Sequence, residues 1–187
     1  MRIIAGEAKG RVLVAPRGGG TRPATDRIRE ALFAILEPDL PDAQVLDLFA
    51  GAGTMGLEAL SRGAAHATFV ERGAPAVQAL KKNVAATRFG ERADVVSANV
   101  IGFLDRLGPA KYDVAFVDPP FADLAVMEAT LAHANLARAL ASDAIVVVRV
   151  LRKHPPTVPA TARVFRTKQI GEEDLLFLRY SVAGGGG

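Results

Sequence analysis

Two short segments of this 187-residue chain hold residue types at spacings that chemistry could use. The first is Asp47-Leu48-Phe49-Ala50-Gly51-Ala52-Gly53-Thr54-Met55-Gly56, which carries Gly51-x-Gly53-x-x-Gly56 between a predicted strand and a predicted helix. Glycines there permit a tight turn and let a ligand approach the backbone at a helix N-terminus. Glu71 ends the next predicted strand, where a carboxylate can accept hydrogen bonds from ribose hydroxyls. The pattern fits a nucleoside-containing cofactor; the plain alternative is close packing of a glycine-rich helix on a strand. Asp47 narrows the choice of cofactor. An extra carboxylate at this turn opposes a pyrophosphate but suits a cation. S-adenosylmethionine carries an ammonium and a sulfonium and no phosphate. The alternative for Asp47 is an N-cap or a structural partner for a loop N–H.

The second segment is Asp118-Pro119-Pro120-Phe121, directly after an apolar strand. In open α/β sheets ligands sit beyond the carboxyl ends of the strands. Two consecutive prolines hold the backbone extended and remove two N–H donors. What remains is an array of acceptors, the Asp118 carboxylate and the carbonyls of the turn, beside the aromatic face of Phe121. Such a site accepts the –NH₂ of a planar ring and stacks on the ring. Gripping both N–H bonds would localise the nitrogen lone pair toward an incoming methyl group, so positioning and electrostatics supply most of the rate. No metal or covalent intermediate is needed. The alternative is a proline turn with a core Phe.

The surrounding elements follow from periodicity. Strands are predicted at Val45–Ala50, His66–Glu71, Ala93–Ala98, Asp113–Asp118 and Ile145–Leu151. Helices are predicted at Thr54–Arg62, Pro75–Arg88, Ile101–Leu107 and Leu124–Leu140. Alternating strands and helices imply a mostly parallel, doubly wound sheet covered on both faces. Arg163–Lys168 and Leu175–Val182 read as a closing antiparallel hairpin around Gly171. Before the alternation, Arg2–Ala5 and Arg11–Ala15 suggest a small hairpin. A helix capped by Thr25 or Asp26 and ended by Pro38 follows it. The expected division is an extension over 1–37, a cofactor-binding domain over 38–183 and a disordered glycine tail over 184–187.

Charge is distributed unevenly. Residues 1–30 hold seven Lys and Arg against three Asp and Glu, whereas the remaining residues hold 16 against 17. A basic arm on a near-neutral body suits an acidic partner such as nucleic acid, or is simply a solvated surface. The chain has no cysteine, which excludes disulfides, thiolate metal sites and the thiolate route to pyrimidine C5 methylation. His66, His133 and His154 lack metal-binding spacing, so no metal is expected. No apolar run reaches the ~20 residues of a membrane span, and the N-terminus lacks a signal-peptide pattern, so a cytoplasmic location is expected.

Asp47–Gly56, Glu71 and Asp118–Phe121 resemble the motifs of S-adenosylmethionine-dependent amino-methyltransferases, which have a Rossmann-like α/β fold. Met1-Arg2-Ile3-Ile4-Ala5-Gly6-Glu7-Ala8-Lys9-Gly10-Arg11 and Arg22-Pro23-Ala24-Thr25-Asp26-Arg27-Ile28-Arg29-Glu30-Ala31-Leu32-Phe33 are more specific. They are similar to the bacterial 16S rRNA (guanine(966)-N(2))-methyltransferase family, over nearly the whole chain. The resemblance implies methyl transfer to the N2 amine of a guanine in small-subunit ribosomal RNA. It implies Asp118, Pro119, Pro120 and Phe121 at the catalytic turn. Asp47, Phe49, Gly51, Gly53, Thr54, Gly56, Glu71 and Asn99 would surround the cofactor, with Asn99 where the family usually has Asp near the adenine. Lys9, Arg11, Arg22, Thr25, Arg27 and Arg29 would hold the RNA, with Arg22 and Arg27 alternatively bracing Asp118 or Asp47. The target base is expected to leave its stack, and the protein to act as a monomer on rRNA, within small-subunit particles. Three other readings stay open: a DNA adenine or protein glutamine amino-methyltransferase, a nicotinamide-dependent oxidoreductase, and a non-catalytic RNA-binding module.

Overall fold

Seven strands form one sheet in the computed structural model, which describes residues 1–16, 24–109 and 112–181. They are β1 (Gln44–Leu48), β2 (His66–Glu71), β3 (Ala93–Ser97), β4 (Tyr112–Val117), β5 (Leu140–Leu151), β6 (Ala162–Ile170) and β7 (Glu173–Tyr180). Their order across the sheet is β3-β2-β1-β4-β5-β7-β6. The first five run parallel, and β7 then pairs antiparallel with both β5 and β6. The sheet is thus mostly parallel, and the hairpin closes it as the sequence predicts.

The helices are α1 (Asp26–Leu36), α2 (Thr54–Ser61), α3 (Ala74–Thr87), α4 (Val100–Leu104), α5 (Leu124–Leu131) and α6 (Ala134–Ala139). Parallel strands need crossovers, and these cover both faces. On one face Val45, Phe69, Phe116, Val147 and Phe177 pack with Leu32 and Phe33 of α1, Leu57 and Leu60 of α2 and Leu80 of α3. On the other face Leu46, Val70, Val117, Val148 and Leu178 pack with Leu104 of α4, Met127 and Leu131 of α5 and Leu136 of α6. Strand order reverses between β1 and β4, which pair with Leu48 opposite Val117. The two sequence motifs leave the sheet side by side at this crevice, where doubly wound sheets bind ligands.

Two local expectations are corrected. The single helix predicted over Leu124–Leu140 breaks after Leu131. His133 adopts an extended conformation, and its Nδ1 accepts the Asn135 N–H at 3.2 Å, which starts a second helix. Its Nε2 lies 3.2 Å from Asp105, and Asn135 donates to the Leu104 carbonyl, so contacts to the end of α4 draw the chain aside. The N-terminal hairpin contains one bridge, Arg2 with Val12, in place of two strands. The Ile4 and Ala5 N–H groups instead donate to the Glu58 carboxylate of α2 at 2.8 and 3.0 Å.

The N-terminal segment is therefore bound to the body by polar side chains. Ser61 donates to the Ala5 carbonyl and accepts the Ala8 N–H, and Asn83 of α3 accepts the Val14 N–H and donates to the carbonyls of Val14 and Ala52. Ile3, Leu13 and Ile28 lie in the same core as the α1–α3 face of the sheet. This cover explains why every residue of α2 is buried, a property its short apolar pattern does not announce. Residues 184–187 lie outside the described residues.

Candidate active site

The glycine turn leaves β1 through two left-handed residues, Phe49 at φ 67° and Gly51 at φ 57°, and enters α2 through Gly53 at φ 81°. The three glycines have different duties. A Cβ on Gly51 would meet no atom within 4 Å, so this backbone faces open space. A Cβ on Gly53 would lie 2.3 Å from Leu80 Cδ1, and one on Gly56 2.3 Å from Phe69 Cε1. Gly53 and Gly56 are thus required by packing of α2 against α3 and β2, and Gly51 offers the approach to a ligand.

The three glycine N–H groups of this turn are occupied from within the protein. Glu71 accepts the Gly51 N–H at 2.9 Å and the Gly73 N–H at 2.6 Å. The Gly53 N–H donates to the Ala50 carbonyl, and the Gly56 N–H to Asp47 Oδ2 at 2.9 Å. A pyrophosphate needs such donors free and a helix N-terminus without negative charge. Here Asp47 places a buried carboxylate under the first turn of α2. Burial pushes its pKa from 3.8 up to about 7; the Gly56 hydrogen bond opposes this, and Asp118 and Glu71 add to it. Asp47 is thus the loop's hydrogen-bond partner, and burial favours its neutral form. The donor set fits S-adenosylmethionine: acceptors at Glu71 and Asp47, an open backbone at Gly51, and no phosphate cradle. Glu71 keeps lone pairs for ribose hydroxyls beside the two it uses.

Asn99 follows β3, two strands from β1, as the N-cap of α4. Its Oδ1 accepts the Ile101 N–H at 2.9 Å and the Gly102 N–H at 3.4 Å. The carbonyl expected to meet the adenine amine is therefore committed to the helix, while the side chain remains exposed. Thr54 starts α2 and is buried.

The Asp118–Phe121 turn follows β4 directly. Asp118 accepts from Arg149 Nε at 2.9 Å. Burial pushes its carboxyl pKa up, and the Arg149 cation pulls it back. Arg149 also donates from Nη1 to Glu173 at 3.2 Å and lies 4.8 Å from the centre of the Phe121 ring. The Pro120 carbonyl accepts the Asp123 N–H at 2.8 Å. The Asp118 carboxylate, which is only partly buried, keeps acceptor capacity beyond its bond to Arg149. Arg149 was not among the sequence-predicted residues. The sequence offers Arg22 and Arg27 as alternative braces of Asp118 or Asp47; Arg22 lies outside the described residues and Arg27 is exposed on α1.

The basic N-terminal residues divide. Lys9, Arg11 and Arg27 are exposed. Arg29 is corrected: it is fully buried, paired with Asp26 at 2.7 Å and Glu58 at 3.4 Å, and it donates to the Arg2 carbonyl at 2.8 Å. It cannot reach a phosphate; it holds the N-terminal segment against α2. Thr25 is exposed, but its hydroxyl caps α1 by accepting the Ile28 N–H at 3.3 Å. Among the described residues no group of His, Cys, Asp and Glu could hold a metal ion, and no helix is long and apolar enough to cross a membrane.

Residues 1–179 match a family model described as conserved hypothetical protein 95. The chain is 43% identical over 173 residues to the Escherichia coli protein named ribosomal RNA small subunit methyltransferase D, covering 92% of this chain and 86% of that protein. It is 35% identical over 174 residues to the Haemophilus influenzae protein of the same name, covering 91% and 89%. The solved structure of Escherichia coli yhhF superposes with a TM-score of 0.83 at 40% identity, covering 97% of this chain and 98% of that one. With its mostly parallel sheet, its glycine turn and its Asp118–Phe121 turn, the chain belongs to the conserved hypothetical protein 95 family.

Proposed function

We propose that this protein transfers a methyl group from S-adenosylmethionine to the exocyclic N2 amine of a guanine in small-subunit ribosomal RNA. The observation that carries the reading is the switch point itself. A turn built for a cationic, phosphate-free cofactor stands one strand away from a turn built of acceptors for an amine. The relatives named as small-subunit rRNA methyltransferases supply the substrate class. A nicotinamide dinucleotide is disfavoured because the glycine N–H groups are already engaged.

S-adenosylmethionine supplies an electrophilic methyl group at a sulfonium. Asp47 would hold its positive end and Glu71 its ribose, with Gly51 allowing close approach. The target base stacks on the ring face of Phe121 left open by Arg149. Asp118 and the Pro119 carbonyl accept the two N–H bonds of its amine, which turns the nitrogen lone pair toward the methyl carbon. Asp118 takes the proton that the nitrogen sheds once the new bond has formed, a task suited to a carboxyl whose pKa burial raises. Lys9, Arg11 and Arg27 contact phosphates, which position the RNA without reading its sequence. The protein acts as a monomer and without a metal.

The test uses labelled methyl donor with small ribosomal subunits, naked rRNA and DNA as separate substrates, followed by digestion to nucleosides. Label in N2-methylguanine is expected, and label in N6-methyladenine overturns the guanine assignment. Asp118→Ala is expected to abolish turnover while changing cofactor affinity little; full activity in that variant removes Asp118 from the mechanism.

A further inference from the structure

Arg149 joins parts of the site that the chain keeps far apart. It stands on β5, next to Val148, which pairs with Val117 of β4, and opposite Leu175 of β7. It is 6% exposed. Its Nε reaches Asp118, the first residue of the acceptor turn, at 2.9 Å, and its guanidinium carbon lies 4.8 Å from the ring centre of Phe121, the last residue of that turn. Its Nη1 is held at 3.2 Å by Glu173, the first residue of β7. The guanidinium is a rigid planar fork, so fixing one nitrogen orients the others.

We propose that Arg149 is a positioning residue for methyl transfer: it ties both ends of the Asp118–Phe121 turn to one anchored cation, aiming the acceptor oxygen and the stacking ring together, with Glu173 as the anchor. This rests on the reading of Asp118 as the amine acceptor. The charged groups facing Asp118 are Arg149 from β5, Glu173 from β7 and Asp47 from β1. Burial favours the neutral carboxyl, and Arg149 is the cation that opposes it. Removing that cation leaves two carboxylates facing a buried third, so Asp118 holds its proton to higher pH and loses acceptor capacity.

Arg149→Met keeps the volume and removes the charge, and Arg149→Lys keeps the charge and removes the fork. For Arg149→Met we expect kcat at pH 7 to fall about 100-fold, the cost of a misplaced reacting group. The acid limb of its pH–rate profile should move up by at least about one pH unit, with S-adenosylmethionine affinity within about threefold of wild type. Arg149→Lys should keep the wild-type limb and lose about tenfold in kcat, the part that orientation supplies. A kcat for Arg149→Met within about threefold of wild type, or a loss equal at every pH with an unmoved limb, overturns the proposal. Should Arg149→Met fail to fold, Arg149→Lys decides, and undiminished kcat in it refutes positioning by the fork. Asp118→Ala run alongside separates the two layers: if it retains turnover, the underlying reading fails.

A different observation supports a second inference. β6 is the edge strand on the hairpin side of the sheet, and Arg163, Arg166 and Lys168 on it are exposed, with no acidic residue in the strand. Among the described residues no ion pair engages these three, whereas Glu173 and Asp174 of β7 pair with Arg149 and Arg152. Lys168 pairs with Leu175, which pairs with Arg149, so one row of the sheet runs from the site to this edge. α1, which carries Arg27, packs against β6. We infer that β6 and α1 form one wall of the RNA-docking surface, with phosphates as the groups bound. This rests on the rRNA reading of the site.

The variant Arg163→Gln/Arg166→Gln/Lys168→Gln is assayed on small ribosomal subunits at several salt concentrations. Losing two or three phosphate contacts should raise KM for the RNA substrate about tenfold and flatten the logarithmic salt slope by about 2–3, with kcat at saturation within about twofold. An unchanged KM and slope overturn the inference and leave these cations as guards against edge pairing. Wild-type protein that methylates no RNA refutes the underlying reading instead.

Discussion

Asp47 is where stability and cofactor binding oppose each other, and Asp47→Asn separates them. The side chain is buried beneath α2, and burial raises its pKa from 3.8 to about 7. Between those values the folded protein binds a proton that the unfolded chain has released. Stability therefore falls as pH rises, and the deficit is complete above pH 7. A shift of this size corresponds to about 4 kcal/mol. Asparagine can still accept the Gly56 N–H and carries no charge. Asp47→Asn should thus match the wild type at pH 4 and exceed it at pH 8 by as much as about 4 kcal/mol. For a chain of this length that is about 8–16 °C in Tm.

Binding should move the other way. The ionised carboxylate attracts the cationic end of S-adenosylmethionine, so the protein must lose the Asp47 proton on binding. With a pKa near 7, wild-type affinity at pH 6 should be about tenfold weaker than at pH 8. Asp47→Asn should bind weakly at both and lose this dependence. Thermal unfolding at pH 4 and pH 8 and calorimetric titration at pH 6 and pH 8 measure all four quantities. A variant less stable than wild type at pH 8, or a Tm difference equal at both pH values, refutes the reasoning. So does an affinity that ignores pH.

Other perturbations follow from the same contacts. Glu58→Ala removes the carboxylate that binds the Ile4 and Ala5 N–H groups and leaves Arg29 with Asp26 and the Arg2 carbonyl; it should cost about 1–3 kcal/mol by chemical denaturation, the loss expected when buried hydrogen-bonding groups are left unpaired. Gly53→Ala forces a Cβ to 2.3 Å from Leu80 at a left-handed φ, so it should destabilise by about 1–3 kcal/mol in the same assay. Gly51→Ala has open space and only the φ cost, so its stability loss should be the smaller of the two, and its main effect should appear in cofactor affinity. Lys9→Gln/Arg11→Gln alters exposed cations only and should lower the salt slope of RNA binding by about 2 while leaving Tm within about 1 °C.

The amino-acid sequence by itself determined what short-range pattern can encode. The alternation of apolar runs set the mostly parallel sheet and the closing hairpin, and glycine spacing and paired prolines marked both turns beyond strand ends. Each signal lies within about ten residues, the reach of a strand, a turn or a helical repeat. Tertiary structure decided which charges meet. Arg149 and Asp118 are 31 residues apart in the chain, and Arg29 and Glu58 are 29 apart. Arg29 looked like its exposed neighbour Arg27 until the N-terminal segment and α2 closed over it. Gly53 and Gly56 looked like ligand-binding glycines until Leu80 and Phe69 packed against them. A cation or a glycine has no local signature of its use, because burial and pairing depend on which distant element the sheet brings beside it.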